Sequence, residues 1–435
     1  MIKIIKASEL EKDNLVQKTV SSSSVNTAVA MVIANIIRRG DEALREYTER
    51  YDGCVPVNFE LSQTAIDEAV KDVDPEFIKV MERAAKNIEN FHRNQIQKGF
   101  DLPPNNGVIL GQRVTPIERV GVYVPGGRAP YPSSVLMNCI PAKIAGVKEI
   151  IVATPPSKEN DSADGSTGFN GVNGVDAKVL AAAKIAGADR VFTIGGAQAI
   201  AALAYGTESV PRVDKITGPG NAYVAEAKRQ VFGIVGIDMI AGPSDVLIIA
   251  DSSADPVLIA ADMLTQCEHG PDSPAYLITN SKALAEKVSA EIEIQIDDLP
   301  RKEIVRKAID DHGRIIIAKN INEAFELSNM IAPEHLEILL NEPFNYLDKV
   351  RNASSVFLGK FSPVTLGDYY AGPNHTLPTA GTSRFSSPLS VEDFTKKTSY
   401  IYYSEDALRL ASDDVIRFAE EEGLKAHALS VSKRI

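Results

Sequence analysis

The sequence predicts an α/β fold built from two successive modules, each with a parallel β-sheet. Between Val120 and Leu358, short apolar runs of strand length alternate with amphipathic stretches of helical length, a pattern typical of βαβ units. Clusters of Gly, Pro, Asn and Asp separate the runs, as turn-forming residues do between elements. The length of 435 residues exceeds what one compact core normally holds, so we expect two or more domains.

The first 110 residues are predicted to be mostly helical, because Val25–Tyr51 and Pro75–Gln97 carry apolar residues at helical spacing. The first module then opens with a strand at Val120–Val124 and a helix from about Ser133 to Ala145. It continues as alternating strands and helices at Lys148–Ala153, Asp176–Ala186, Arg190–Ile194, Ala197–Tyr205, Val213–Ile216 and Ala222–Phe232. Residues 157–174 are rich in Gly, Ser, Asn and Asp, which predicts an exposed loop.

A second alternation begins after Ala241. Its predicted strands and helices are Val246–Ala250, Pro256–Cys267, Ala275–Thr279, Lys282–Ile292, Arg314–Ala318, Asn322–Met330, His335–Leu340 and Ser355–Leu358. After Ser390 the pattern indicates helices around one short strand, Tyr400–Tyr403. These last residues are therefore expected to form a small appendage.

Charge and composition exclude several classes of protein. The net charge is −12, with no basic run or stripe, which argues against nucleic acid and anionic membranes as partners. No apolar run reaches membrane-spanning length and the first residues lack a signal-peptide pattern, so a cytoplasmic location is expected. The three cysteines, Cys54, Cys139 and Cys267, share no CxxC spacing, which argues against disulfides and a zinc ribbon.

Four of the six histidines lie in short segments where acidic or polar residues adjoin Gly or Pro. These segments are Gln266–Gly270, Pro333–His335, Gly367–His375 and Glu422–His427. Imidazoles and carboxylates bind metals and transfer protons near neutral pH. The grouping therefore points to a metal-dependent enzyme.

Gln266 and His269 are three residues apart near the end of an apolar helix, and this spacing puts two side chains on one face, as in helical metal sites. A polar helix end would show the same pattern, because His is favoured there. Cys267 points elsewhere on the helix and is expected to pack in the core.

Each of the other three segments also has an ordinary alternative. Glu334 and His335 precede an apolar strand and would need a loop conformation to serve one reactant, and a charged turn is the competing interpretation. Asp368 and His375 lie in a constrained loop, which is also compatible with a surface turn. Glu422 and His427 are five residues apart and would not share a helix face, so a shared role requires a helix break, which Gly423 could provide; a solvated helix is the alternative.

Two further strand-to-helix joints, Thr217–Asn221 and Gly195–Gln198, offer backbone N–H groups at a helix start, which suits a phosphate or pyrophosphate. The GxGxxG, GxxxxGK[ST] and HExxH motifs are absent. The spacing therefore supports an anion-accepting joint and nothing more specific.

Six motifs taken together resemble the histidinol dehydrogenase family, from roughly residue 20 to the C-terminus. They are Val120–Gly127, Gly195–Leu203, Gly218–Asn221, Ala241–Asp245, Gln266–Ser273 and Ala332–His335. The resemblance implies two incomplete Rossmann-like modules. It implies an N-terminal segment at 1–17, a larger α/β domain at 18–122 and 244–388, an NAD-contacting domain at 123–243, and an appendage at 389–435.

The same resemblance implies a cytoplasmic enzyme of histidine biosynthesis that depends on NAD and on one zinc ion per subunit. It would oxidise L-histidinol to L-histidine through L-histidinal and reduce two NAD. The implied zinc ligands are Gln266, His269, Asp368 and His427, and the implied acid–base pair is Glu334 and His335. NAD contacts would be Tyr123, Gln198 and Asn221, and substrate contacts would be Ser244, His375, Glu422, His335 and the zinc ligands.

A homodimer with shared active sites is also implied, in which Glu422 and His427 reach the partner. Three features depart from the family pattern: the long 157–174 loop, Cys267 in place of a small residue, and Arg128 after the Pro-Gly-Gly turn. Cys267 would add sensitivity to oxidation, and Arg128 would alter how NAD is held. The competing functions are a metal-dependent hydrolase that uses Glu334 to activate water, and a non-catalytic metal- or nucleotide-binding protein.

Overall fold

The computed structural model describes residues 2–9, 22–126, 130–156, 171–172 and 174–435. Gly127, Arg128 and most of the 157–174 loop lie outside the described residues, so the predictions on them are not addressed by the structure. Within the described ranges, no helix combines the length and apolar composition that crossing a bilayer requires.

Helices and parallel strands alternate as the sequence predicts. The helices are α1 Ser23–Arg39, α2 Asp41–Asp52, α3 Gln63–Val70, α4 Pro75–His92, α5 Pro132–Ala145, α6 Ala177–Ala186, α7 Gly196–Tyr205, α8 Ala222–Val231, α9 Pro256–Cys267, α10 Lys282–Ile296, α11 Lys302–His312, α12 Ile321–Ile331, α13 Val364–Tyr369, α14 Glu405–Glu421 and α15 Lys425–Ser432. The strands are β1 Lys3–Lys6, β2 Phe100–Asp101, β3 Val108–Pro116, β4 Arg119–Tyr123, β5 Glu149–Thr154, β6 Gly171–Val172, β7 Val175–Asp176, β8 Arg190–Thr193, β9 Lys215–Thr217, β10 Gly236–Ile237, β11 Val246–Ala250, β12 Ala275–Thr279, β13 Arg314–Ile317, β14 His335–Leu339, β15 Ser355–Leu358 and β16 Thr395–Tyr403.

The first module is a five-stranded parallel sheet in the order β10-β9-β4-β5-β8. Its central strands are almost entirely buried, because helices cover a parallel sheet on both faces. The first strand, β4, has β5 on one side and β9 on the other. The order therefore reverses at β4, and a crevice forms at the carboxyl ends of β4 and β9.

The second module is a six-stranded parallel sheet in the order β1-β13-β12-β11-β14-β15. Every residue of β11, β12 and β14 is buried. In register, Val246 at the start of β11 lies opposite His335 at the start of β14. The residues that precede these two strands are therefore neighbours at the amino edge of the sheet.

The C-terminal appendage differs from its prediction in one respect. Its strand is nine residues long and pairs antiparallel with β3 along its whole length, whereas the sequence indicated only Tyr400–Tyr403. The strand Val108–Pro116 likewise lies partly in the region predicted as mostly helical. The two strands are almost three hundred residues apart in the sequence and supply each other's hydrogen-bond partners. A local sequence pattern cannot reveal such a long-range pairing.

The domain boundaries given above stay a prediction, but the packing of the N-terminal elements is clear. Val32 and Ile36 of α1 share a core with Ile151 and Phe192 of the five-stranded sheet. Strand β1 instead pairs with β13 in the six-stranded sheet. The N-terminal region therefore contacts both modules.

Gly218 follows β9 with a φ of 108°, and a Cβ built on it would lie 2.0 Å from the carbonyl oxygen of Tyr123. Gly233 has a similar φ of 100° but no atom within 4 Å of the same position. We expect Gly218→Ala to lower the free energy of unfolding by more than about 3 kcal/mol, and Gly233→Ala by about 1 kcal/mol, because only the first adds a backbone clash to the strain. Urea unfolding followed by circular dichroism measures both losses, and equal losses would contradict the clash.

Candidate active site

A cavity of about 400 Å³ lies where the carboxyl edge of the five-stranded sheet faces the amino edge of the six-stranded sheet. This volume is within the range of about 300–1,000 Å³ that is usual for ligand sites. Side chains from both modules line it, and the ones that carry chemistry are Asn221, Ser244, Gln266, His269, Glu334, His335, Asp368 and His375. Eight of the residues predicted from the sequence are thus brought together.

The end of helix α9 brings Gln266 and His269 to this cavity. Asp255 caps the start of α9 by accepting a hydrogen bond from the N–H of Val257 at 2.9 Å. The apolar side chains of the helix, among them Met263, pack in the core. The amide of Gln266 is fully buried, and its Oε1 has no hydrogen-bond donor among the described residues. A buried acceptor without a donor is costly, so this oxygen suits a bound cation.

His269 faces the cavity, and desolvation by the surrounding protein lowers the pKa of its imidazole, which nearby Asp368 partly opposes. A lowered pKa favours the neutral ring, which is the form that binds metals. The neighbouring Cys267 is fully buried, and burial raises the pKa of its thiol to about 12. Its thiolate is therefore not populated near neutral pH, so the structure argues against the expected sensitivity to oxidation.

Helix α13 and the loop after it supply Asp368 and His375. Asp368 Oδ1 lies 3.8 Å from His335 Nε2. The Nδ1–H of His375 donates to the carbonyl oxygen of Asp368 at 2.8 Å, and its Nε2 lies 3.4 Å from the Oγ of Ser134. Burial lowers the pKa of His375, so its ring is held neutral with Nε2 as an acceptor.

The backbone of Asp245 determines the tautomer of His335. Nδ1 of His335 lies 2.8 Å from the carbonyl oxygen of Asp245. A carbonyl oxygen only accepts, so Nδ1 carries the proton and donates it to this bond. A longer contact of 3.4 Å joins Nδ1 to Nε2 of Gln266. Nε2 of His335, on the Asp368 side, therefore keeps its lone pair and can act as a base.

Glu334 lies just before β14 and is buried beside His335. Its Oε2 accepts hydrogen bonds from the Oγ of Ser244 at 2.5 Å and from the N–H of Asp245 at 3.0 Å. Burial raises the pKa of Glu334 to about 8, and these two hydrogen bonds partly oppose the shift. Oε2 of Glu334 is 3.7 Å from Nδ1 of His335. Glu334 is still in the loop before β14, and for this reason its side chain can reach the same site as that of the adjacent His335.

The joint after β9 forms the other wall of the cavity. Gly218, Pro219, Gly220 and Asn221 line it, and the Oδ1 of Asn221 caps helix α8 by accepting from the N–H groups of Tyr223 and Val224. A ten-residue helix thus begins at the cavity with its positive end, which suits an anionic group.

A buried ion pair that sequence reasoning missed fixes this joint. Lys228 pairs with Asp238, and both side chains are almost fully buried. The Nζ of Lys228 donates to the carbonyl of Gly218 at 2.9 Å, and Oδ2 of Asp238 accepts from the N–H of Gly218 at 2.8 Å. No motif or spacing in the sequence marks either residue.

Tyr123 and Gln198 do not line the cavity. Both are buried. The hydroxyl of Tyr123 accepts a hydrogen bond from the N–H of Gly196 at 3.1 Å. Nε2 of Gln198 lies 3.5 Å from Oδ2 of Asp52. Tyr123 therefore supports the joint between β8 and α7, and Gln198 connects α7 to α2.

Glu422 and His427 are exposed on the appendage and do not line the cavity of their own chain. Among the described residues of the single chain, no group of three or more His, Cys, Asp and Glu side chains is arranged to hold a metal ion. Gln266, an amide, does not count toward such a group. One chain thus brings together three of the four expected zinc ligands, Gln266, His269 and Asp368.

Comparison with known proteins identifies the family. Residues 15–435 match the family model described as histidinol dehydrogenase. A histidinol dehydrogenase of Streptococcus mutans is 50% identical over 426 residues, covering 98% of this chain and 94% of the relative. One of Heliobacterium mobile is 49% identical over 438 residues and covers 100% of both chains.

A solved structure gives the same result for the fold. The crystal structure of histidinol dehydrogenase from Elizabethkingia anophelis is similar with a TM-score of 0.91 and 37% identity, covering 100% of this chain and 98% of that chain. The similarity extends over both modules and the appendage. The chain therefore belongs to the histidinol dehydrogenase family.

Proposed function

We propose that this chain carries out the zinc-dependent, four-electron oxidation of L-histidinol to L-histidine through L-histidinal, with reduction of two NAD. Family membership makes it an oxidoreductase of histidine biosynthesis that oxidises histidinol to histidine. The observation that carries the finer proposal is the buried, donor-free Oε1 of Gln266 in the same cavity as His269, His335 and Asp368. The expected cytoplasmic location is part of the proposal.

Gln266, His269 and Asp368 would hold the zinc ion, together with His427 from a second copy. The donors are an amide oxygen, a neutral imidazole and a carboxylate, all of which zinc accepts. When bound, zinc would supply positive charge that orients the imidazole and amine of histidinol. Two imidazoles, one carboxylate and one neutral amide leave a net positive site.

His335 is the proposed base for the alcohol and hydride steps. Its Nδ1–H is engaged by the Asp245 carbonyl, so Nε2 can take the hydroxyl proton of the alcohol. After this proton is released to water, the same nitrogen would take the proton from the hydrated aldehyde. An imidazole suits both steps, because histidine is the side chain that most often transfers protons near neutral pH.

Glu334 is the proposed base that activates water for hydration of the aldehyde. Burial raises the pKa of this carboxyl group to about 8, which is close to neutrality and thus favourable for general base catalysis. The hydrogen bonds from Ser244 and Asp245 hold Oε2 in place. The proposed substrate contacts are Ser244, His375, Glu422, His335 and the four zinc ligands.

Asn221 and the joint before α8 would hold NAD, which accepts hydride when bound. The support is the positive end of α8 at the cavity wall. Tyr123 and Gln198 belong to the proposed contacts through the neighbouring joint, where both are buried. The crevice at the carboxyl ends of β4 and β9 is the usual location for a nucleotide in such sheets.

A homodimer with shared sites completes the proposal. The appendage exposes large apolar side chains, among them Ile401, Leu410 and Phe418, which are 74%, 80% and 72% accessible. Apolar patches of this kind usually lie at protein interfaces. A second copy that covers them would bring Glu422 and His427 toward the cavity of the first.

The central test counts reduced nicotinamide per histidinol consumed. We expect two per substrate from the zinc-loaded protein, and loss of turnover after chelation with NAD binding largely retained, because zinc and NAD occupy different walls of the cavity. Absorbance of the reduced cofactor and calorimetric titration of NAD measure these outcomes. A metal-dependent hydrolase would reduce no cofactor, and unchanged turnover in metal-free protein would refute the role of zinc.

Glu334→Gln should separate the two half-reactions. The amide keeps the shape of Glu334 but cannot take a proton from water, so aldehyde oxidation should fall by about 10²–10⁴-fold. Oxidation of the alcohol to the aldehyde should fall much less. Single-turnover assays that start from histidinol and from histidinal measure the two steps. The matched control is His335→Gln, which should impair both, and equal losses in Glu334→Gln would contradict the division.

Mixing two inactive variants tests the shared site. In a heterodimer of His335→Ala and His427→Ala chains, one site carries both changes and the other carries neither. Equal mixing of symmetric dimers should therefore restore about one quarter of the sites. Activity after subunit exchange, verified by native mass spectrometry, is the measurement. An absence of rescue would place each site within one chain.

A further inference from the structure

A buried carboxyl group, Glu337, lies beneath the candidate site and has no role in the reaction proposed above. It is two residues after His335 on β14, so both side chains lie on the same face of the sheet. Only 1% of Glu337 is exposed. Its Oε1 accepts a hydrogen bond at 3.0 Å from the N–H of Val364, the first residue of α13.

The carboxyl group of Asp262, on helix α9, is a neighbour of Glu337. The two groups are close enough for each to affect the pKa of the other, and Oε2 of Glu337 has no hydrogen-bond partner among the described residues. Two ionised carboxylates this close repel each other, so the pair favours a proton on one of them. Burial raises the pKa of both groups, with that of Glu337 well above its ordinary value.

The pair joins the three elements that carry the candidate ligands and base. Asp262 is one helical turn before Gln266 on α9, and His269 follows on the same side. Val364 is one turn before Asp368 on α13. Glu337 itself follows His335 on β14. A single buried side chain thus connects α9, α13 and β14 directly below the site.

We propose that Glu337 and Asp262 form a positioning pair that holds Gln266, His269 and Asp368 at the mutual spacing a zinc ion requires. Neither residue lines the cavity, so the pair acts through the ligands and not on the substrate. This inference rests on the zinc site of the proposed function. Supporting groups of this kind usually change metal affinity when they are removed.

The test is the affinity of the metal-free protein for zinc alone, measured by competition with a chromophoric chelator at fixed pH. Glu337→Leu removes the hydrogen bond to Val364 and the carboxyl group beside Asp262, and it should weaken zinc binding by about 10–100-fold. Glu337→Gln can still accept from Val364 and donate to Asp262, so it should bind zinc as the wild type does. If Glu337 only filled space in the core, retained zinc affinity in Glu337→Gln together with lost affinity in Glu337→Leu would not be expected.

Two reference variants make the result interpretable. Ile150→Ala creates a cavity in the five-stranded sheet, where Ile150 is fully buried, and should lower the urea midpoint without changing zinc affinity. Gln266→Ala removes a proposed ligand and should weaken binding strongly. If Glu337→Leu does not fold, Glu337→Asp takes its place, because it keeps the carboxyl group but is one methylene too short to join both partners.

The possible outcomes distinguish the positioning role of the pair from the existence of the zinc site. Zinc affinity equal to wild type in Glu337→Leu would overturn the positioning role while leaving the zinc site intact. Equal affinity in Glu337→Asp and Glu337→Gln would do the same. No saturable zinc binding by the wild type, or none lost in Gln266→Ala, would refute the zinc site itself and the inference with it.

Discussion

The site depends on the pairing of β11 with β14, because this pairing puts Asp245 beside Glu334 and His335. Four hydrogen bonds connect them. The carbonyl of Asp245 accepts from the Nδ1–H of His335 and, at 3.3 Å, from its backbone N–H. The N–H of Asp245 donates to Glu334, and its carboxyl group accepts from the N–H of Glu334 at 2.9 Å. One residue therefore sets the tautomer of His335 and the orientation of Glu334. A slip in strand register would remove all four bonds at once.

The electrostatics of the cavity follow from the burial of several acids in one place. Burial, with the nearby charge of Glu334, raises the pKa of Asp245 to about 7, and burial raises that of Glu334 to about 8. Asp368 lies within 4 Å of His335. Carboxyl groups crowded in this way favour a cation between them, which would stabilise the ionised forms. The donor-free oxygen of Gln266 also favours a cation, so both features support the metal proposed for this cavity.

The sequence predicted those parts of the fold and site that depend on local pattern. Buried strands such as β4 and β11 are continuous apolar runs, and helix α9 has a capped start and an apolar face, so both were evident. The partner of Glu334 was not, because the contact with Asp245 arises from the register of two strands ninety residues apart. The β3–β16 ribbon was not predicted for the same reason, and the Lys228–Asp238 pair was not predicted because no motif or spacing marks it. The roles of individual site residues came from family resemblance and remain proposals.

In the proposed homodimer, the position of the appendage would make the site hard to recognise from one chain. His427 lies on an exposed helix, and the large apolar side chains of Phe418 and Leu429 are exposed on the same appendage. A metal held by Gln266, His269 and Asp368 alone would keep an open position. An imidazole contributed by a second copy would close that position and couple metal binding to association of the chains. On this argument, dimer stability and zinc affinity should rise together, because each stabilises the arrangement that the other needs.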